Sequence, residues 1–243
     1  MLIITADDYG KNSRATDEIS RCFEKRRITS ASAMVFMEDS KRAASLAGET
    51  GLEVGLHLNF TLPFNQDGVG RDLNAHQNRL VSYLAKRKLA QAFFNTILSG
   101  SFHAVCKAQQ DEFVRLYGRE PDFYNGHHHM HLCSNVLGGH FIPRSAKVRG
   151  TFTFDRGEKN PFNLLYRRML KRYVLGRFVS TDSFFSVAPV QNQDRVRQII
   201  DLAVRENVEL EVHPENSEET EFLLSDEFGD MLSSVPLGRF RDL

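Results

Sequence analysis

Four short apolar runs in this chain lead into or enclose an ionisable residue. Leu2 to Ala6 stops at Asp7-Asp8-Tyr9-Gly10, Glu53 to Thr61 carries His57, Pro121 to Tyr124 leads into Asn125-Gly126-His127, and Val208 to Val212 ends at His213-Pro214. Brief apolar runs bounded by polar residues and glycine read as strands of the buried, parallel kind. Ser30 to Phe36 is a further candidate strand. Between the early runs the spacing turns helical: Ala15, Ile19, Cys22 and Phe23 recur through Ser13 to Arg26, and a second helix is expected from Ser40 to about Gly48. The β-α-β-α-β order predicts a mostly parallel sheet with right-handed crossovers. Function in such sheets collects at the carboxyl ends of the strands.

Further along, Thr61 to Gly70 is rich in Pro, Asn, Gly and Asp and reads as a loop at a strand end. Residues 75–117 are expected to be mainly helical with a break at Ser99-Gly100-Ser101, and Arg144 to Phe154 to hold a short strand. Residues 161–178 set Arg167, Arg168, Lys171, Arg172 and Arg177 among Leu164, Leu165, Met169, Leu170, Tyr173, Val174 and Phe178, which predicts a basic amphipathic helix. Asp194 to Glu206 reads as an amphipathic helix with Val196, Ile199, Ile200, Ala203 and Val204 facing inward. The segment from Val235 to Leu243 is expected to pack back on the body. No repeat and no shift in composition marks a second domain, so residues 1–243 are read as one domain, a size usual for α/β barrels.

Lysine plus arginine equals aspartate plus glutamate, 31 each, so no global field favours nucleic acid. Cys22, Cys106 and Cys133 are odd in number and far apart, which argues against a disulfide framework and for a reducing compartment. Cys133 is read as a small buried apolar residue. No apolar run approaches a membrane span, no signal peptide is read at the start, and the cytoplasm is the expected location.

Four of the nine histidines lie within Asn125 to His131. On an extended backbone His127, His129 and His131 would point one way and His128 the other. Elsewhere, the neighbouring carboxylates Asp7 and Asp8 would face opposite ways inside a strand, but at a strand end both can reach one cleft. Two histidines and one carboxylate form a common facial arrangement for a divalent ion with open positions. Asp8, His57 and His127 would complete it, with the ion activating a water and polarising a carbonyl oxygen. Asp7 would then be the general base, and His213 would protonate a leaving group. This is an architecture for metal-assisted acyl hydrolysis.

With those residues in view, the chain resembles the YdjC-like carbohydrate deacetylases. The resemblance rests on Thr5-Ala6-Asp7-Asp8-Tyr9-Gly10, Thr29-Ser30-Ala31-Ser32, Val54 to Thr61, Gly126 to His131, and Glu211-Val212-His213-Pro214. It implies a (β/α) barrel, TIM-type but irregular or incomplete, often dimeric, that removes the acetyl group from an N-acetylated sugar. It also implies one divalent ion, Mg2+ in preference to Zn2+, held by His57, His127 and Asp8. Asp7 looks like the base and His213 like the acid. His129, His131, Asn125 and Asn59 are then expected to support the ligands or touch the sugar, and His128 to be structural. Many relatives carry Asp-Ser where this chain has Asn125-Gly126, and glycine where it has Glu215. Two other readings are a metal-dependent phosphoesterase on a barrel and a carbohydrate-binding relative without catalysis; retention of both Asp7 and His213 speaks against the last.

Overall fold

The computed structural model describes residues 1–86, 90–153 and 161–243, with the side chains of 161–165 outside that description. The chain is α/β. Its strands are β1 (Leu2–Tyr9), β2 (Ser30–Ala33), β3 (Glu53–Leu58), β4 (Tyr124–Gly126), β5 (Ser183–Ser186) and β6 (Val208–Val212). They hydrogen-bond in the order β4-β3-β2-β1-β6-β5, and β1 with β6, β5 with β6, and β3 with β4 run parallel. The described residues therefore form a six-stranded parallel-type sheet with β4 and β5 at its ends.

Two compact units divide the chain: Met1–Asp7, Glu18–Ala31 and Arg144–Leu243 form the first, and Asp8–Asp17 and Ser32–Pro143 the second. In the first, β1 pairs with β6 from Leu2↔Val208 to Ala6↔Val212, and β5 with β6 from Ser183↔Val208 to Ser186↔Glu211. Every residue of β1 and of β6 is buried, as a central strand covered on both faces requires. Helices α6 (Pro161–Leu175), α7 (Gln193–Leu202), α8 (Ser217–Leu224) and α9 (Asp226–Leu232) belong to this unit. Asn192, Asn216 and Ser225 cap α7, α8 and α9 by accepting from backbone N–H groups of their first turns. The C-terminal segment returns to β1: Leu2 N donates to Pro236 O at 2.8 Å, and Phe240 is buried.

The second unit contains α2 (Ser40–Thr50), α3 (Arg71–Lys86), α4 (Ser99–Tyr117) and α5 (Ser134–Gly139), while α1 (Ser13–Glu24) starts in it and ends in the first. Asn12 opens α1 by accepting from Ala15 N through Oδ1 at 2.9 Å. Left-handed Gly51 and Gly118 close α2 and α4. Gly55 is required for another reason: a Cβ there would stand 2.6 Å from the ring and the carbonyl oxygen of Phe123, so only glycine lets the segment before β4 come this close to β3.

Several boundaries differ from expectation. The third strand stops at Leu58, because Asn59 turns the chain. Ser99 begins α4 rather than breaking a helix; the interruption lies between α3 and α4 and includes a 3-10 turn at Ala90–Ala92. The strand expected over Arg144 to Phe154 is reduced to an isolated bridge, Lys147↔Val179, and Phe154 lies outside the described residues, as do the side chains of Leu164 and Leu165. Val204 is 65% exposed, because α7 ends at Leu202 and the residue leaves its buried face. All three cysteines are buried and free, and burial pushes the Cys133 thiol up to about 11, a small buried group rather than a soft ligand. Among the described residues no helix is long and apolar enough to cross a membrane.

Candidate functional site

Within the second unit, Asp8, His57 and His127 converge. Asp8 lies near the end of β1 with φ of 72°, a left-handed conformation uncommon for a residue other than glycine. That twist breaks the strict alternation of β1 where the carboxylate must reach the histidines. On β3, His57 is in register with Asn125 of β4, so side chains of neighbouring strands meet on the same face. His127 follows β4 directly. Asp8 Oδ1 lies 3.0 Å from His127 Nδ1 and 3.3 Å from His57 Nε2, and the two rings stand edge to face at 5.6 Å. One donor atom from each of the three lies within 4.8 Å of the others. His57 and Asp8 are buried and His127 is nearly so, while Lys11 Nζ reaches Asp8 Oδ2 at 3.2 Å.

The tautomer of His57 decides whether this group suits a cation. Its Nδ1 sits 2.8 Å from Asn125 Oδ1 and 3.3 Å from Ser32 Oγ. An amide oxygen can only accept, so Nδ1 carries the proton and donates to Asn125. Neutral His57 then presents its Nε2 lone pair to a carboxylate oxygen. Two electron-rich atoms face each other there, and a shared cation or a second ring proton relieves the repulsion. Burial pushes the Asp8 carboxyl up, but with the rings protonated the hydrogen bonds and charge of His127 and His57 outweigh it and hold the group well below 3.8. A permanently anionic oxygen and two imidazole nitrogens, one already oriented from behind, fit a divalent ion with open positions.

The remaining histidines are arranged differently from the expected alternation. His127–Leu132 forms a 3-10 segment kinked at His128 and His129, whose φ values are 52° and 58°. Left-handed residues turn the chain instead of extending it, so His127, His129 and His131 do not share a strand face. The turn folds His131 N back to within 2.8 Å of where a Cβ on Gly126 would lie, which is why that position is glycine. His131 is buried, its ring 6.5 Å from that of His129, and the His128 ring is 4.1 Å from that of His127. Asn59 is fully buried: Oδ1 accepts from Thr61 N and Leu62 N at 3.1 and 2.9 Å, and Nδ2 donates to Leu62 O at 3.0 Å. Its side chain thus builds the turn after β3.

The first unit holds a second ionisable cluster. Asp7, Glu209 and Glu211 surround the fully buried Arg149. The guanidinium grips Asp7 with Nη1 at 2.5 Å and Nη2 at 2.8 Å, Glu209 with Nε at 2.7 Å, and Glu211 with Nη1 at 2.8 Å. Its face lies over the Phe184 ring at 4.8 Å. His213 follows β6 with its side chain 38% exposed; its backbone N–H donates to Glu219 Oε2 at 2.7 Å. Asp7, Glu211 and His213 each offer a donor atom within 4.8 Å of the other two.

Arg149 and Glu209 were not singled out from the sequence, and Ser32 and Glu211 stood in the motifs of the resemblance without an assigned role. Glu209 and Glu211 did carry a signal, since acidic residues inside a strand with apolar neighbours on both sides need a buried partner. Arg149 carried none.

A family model described as YdjC-like protein matches residues 1–234. Similar curated proteins include a carbohydrate deacetylase of Danio rerio, 28% identical over 137 residues (56% of this chain, 43% of that protein). Chitooligosaccharide deacetylases of Proteus mirabilis and Salmonella paratyphi B are each 29% identical, over 56% and 62% of this chain and 52% and 57% of theirs. The chain thus spans about half the length of the curated relatives it matches. A solved protein from Enterococcus faecalis V583 shares the fold with TM-score 0.66 at 18% identity, covering 99% of this chain and 97% of the other.

Proposed function

The chain belongs to the YdjC-like protein family, and on that premise we propose that it is a metal-dependent hydrolase that removes the acetyl group from an N-acetylated amino sugar. The observation that carries the reading is the Asp8–His57–His127 donor set, with Asp8 Oδ1 at 3.0 and 3.3 Å from the two imidazoles. A divalent ion bound there, Mg2+ in preference to Zn2+, would supply Lewis-acid polarisation of the acetyl carbonyl and lower the pKa of a water. The names carried by its relatives from Danio rerio and Proteus mirabilis supply the substrate class, an acetylated carbohydrate or chitooligosaccharide.

The protein's own residues take the remaining tasks. Asp7, directly before Asp8 in β1, is the general base that removes a proton from the attacking water. Arg149 keeps its carboxylate ionised and fixed through two parallel N–H bonds. His213, partly exposed just beyond β6, is the group that gives a proton to the departing amine. Asn125 and Ser32 orient His57, while His129 and His131 line or support the sugar site. We read the scaffold as an incomplete barrel, the chain as one deacetylase domain able to form a homodimer, and its location as cytoplasmic.

Acetate release from N-acetylglucosamine, chitobiose and a lipid-linked N-acetyl sugar, measured on Mg2+- and Zn2+-loaded protein, tests the proposal. Acetate from at least one of them, abolished by chelation and restored by metal, is the expected result. No acetate from any, with metal demonstrably bound, or phosphate release from ester substrates instead, would overturn it.

A further inference from the structure

The Asp7 cluster sets three carboxylates against the guanidinium of Arg149, with His213 within 4.8 Å of Asp7 and Glu211. Three carboxylates, those of Asp7, Glu209 and Glu211, share the one guanidinium of Arg149, and all four residues are buried. Even with His213 protonated, ionising all three would leave one uncompensated negative charge away from water, so the structure must hold a proton in the group. The three carboxylates are not equivalent. Asp7 receives two of the guanidinium N–H bonds with separate oxygens, whereas Glu209 and Glu211 each receive one. Asp7 is therefore the member best suited to remain anionic.

Glu211 is the member that touches Asp7. It lies on β6 in register with Thr5, two residues before Asp7 on the neighbouring strand, so the two side chains project from the same face. The same Arg149 Nη1 reaches both, 2.5 Å from Asp7 and 2.8 Å from Glu211, and their oxygens lie within 4.8 Å, which places the two carboxyls to share a hydrogen bond. Two carboxylates cannot make one, so one of the pair must carry the proton and donate it. Burial lifts the Glu211 carboxyl well above 4.5 against the pull of Arg149, and the Asp7 charge and the bond to Asp7 lift it further.

We propose that Glu211 is a positioning residue for the reaction: as a neutral acid it donates to the Asp7 carboxylate while accepting from Arg149, and so fixes the direction in which Asp7 presents its basic oxygen. Such a group need not touch substrate or metal. It stiffens the Asp7–Arg149 pair, and a displacement of a catalytic carboxylate by about 1 Å is enough to cost on the order of 100-fold in rate. The inference rests on the assignment of Asp7 as the base.

The test compares Glu211→Gln, which keeps a neutral donor, with Glu211→Met, which keeps the length and removes it, alongside Asp7→Asn. Each is assayed as metal-loaded full-length protein for kcat, KM, metal content and melting temperature. Glu211→Gln should retain kcat within about threefold, while Glu211→Met loses on the order of 100-fold in kcat with KM and metal content unchanged. Equal kcat in the Met variant and the unmodified protein, a loss confined to KM or to metal content, or a Gln variant as slow as the Met variant would each overturn it. Should Glu211→Met not fold, Glu211→Ser with its smaller hydroxyl donor takes its place and is expected to fall between the other two; kcat equal to the unmodified protein overturns the proposal there too. Full turnover in Asp7→Asn would instead refute the base assignment, a result distinct from failure at Glu211.

Discussion

His57 Nδ1 and Asn125 Oδ1 lie 2.8 Å apart across the β3–β4 pair, 68 positions apart in the chain. The bond fixes which ring nitrogen faces Asp8 and would face a cation. Asn125→Ala removes the acceptor and frees the ring to rotate or change tautomer. Metal affinity should fall about 10–100-fold, while Asn125→Asp, a stronger acceptor, should hold or raise it. Calorimetric titration of metal into each variant checks this. Equal affinity in all three proteins would refute the orienting role.

Ligand loss and base loss should separate cleanly. His57→Ala and His127→Ala should empty the metal site, whereas Asp7→Asn should keep the metal and lose about 100-fold or more of turnover. Elemental analysis with acetate assays distinguishes the two. An empty site in Asp7→Asn would mean that the roles of the paired aspartates are exchanged.

Removing the metal should destabilise the protein, since an ion that binds only the folded state adds about 2.7 kcal/mol at 100-fold excess over its dissociation constant. For a chain of this size that corresponds to a melting shift on the order of 5–10 °C. Chelation followed by readdition of metal should move the transition down and back. Asp8→Asn should show a much smaller response.

The pH dependence of stability should differ at the two clusters. Asp8 has its folded pKa depressed, so its contribution in the metal-free protein is present above 3.8 and lost as pH falls through its lower folded value. Glu211 is the reverse. Its raised folded pKa makes the protonated form the favoured one, so its contribution is present below 4.5 and lost as pH rises toward the folded value. Glu211→Gln, always neutral, should therefore gain melting temperature relative to the unmodified protein as pH is raised from 4.5 to 8. A difference that stays constant or shrinks would contradict the assignment.

Gly55→Ala should cost about 1–3 kcal/mol by overpacking, because the new methyl would meet the Phe123 ring and carbonyl at 2.6 Å. Since Gly55 and His57 lie on the same short strand, metal affinity should drop with stability. Thermal melts and metal titration of the same variant test both parts.

Much of the scaffold was legible because buried parallel strands announce themselves as short apolar runs: β1, β3 and β6 lie within or close to the runs expected. The candidate donors were drawn from the same runs, since Asp8, His127 and His213 end or follow one and His57 lies inside one. The histidine run misled because alternation presumes extended backbone, and the positive φ of His128 and His129 is a local choice that no side-chain pattern recorded. Arg149 could not be found at all. Its partners lie 60, 62 and 142 positions away, and nothing in its neighbourhood distinguishes it from a surface arginine.

Apolar periodicity alone pointed to the α/β class, and side-chain chemistry alone to Asp8, His57 and His127 as candidate cation donors and to Asp7 and His213 as candidate proton carriers. Only the folded chain shows which nitrogen of His57 faces Asp8, where the histidine run turns, and that one buried guanidinium holds three carboxylates. Those are matters of direction and of electrostatic balance, and both exist only once distant strands have been brought into register.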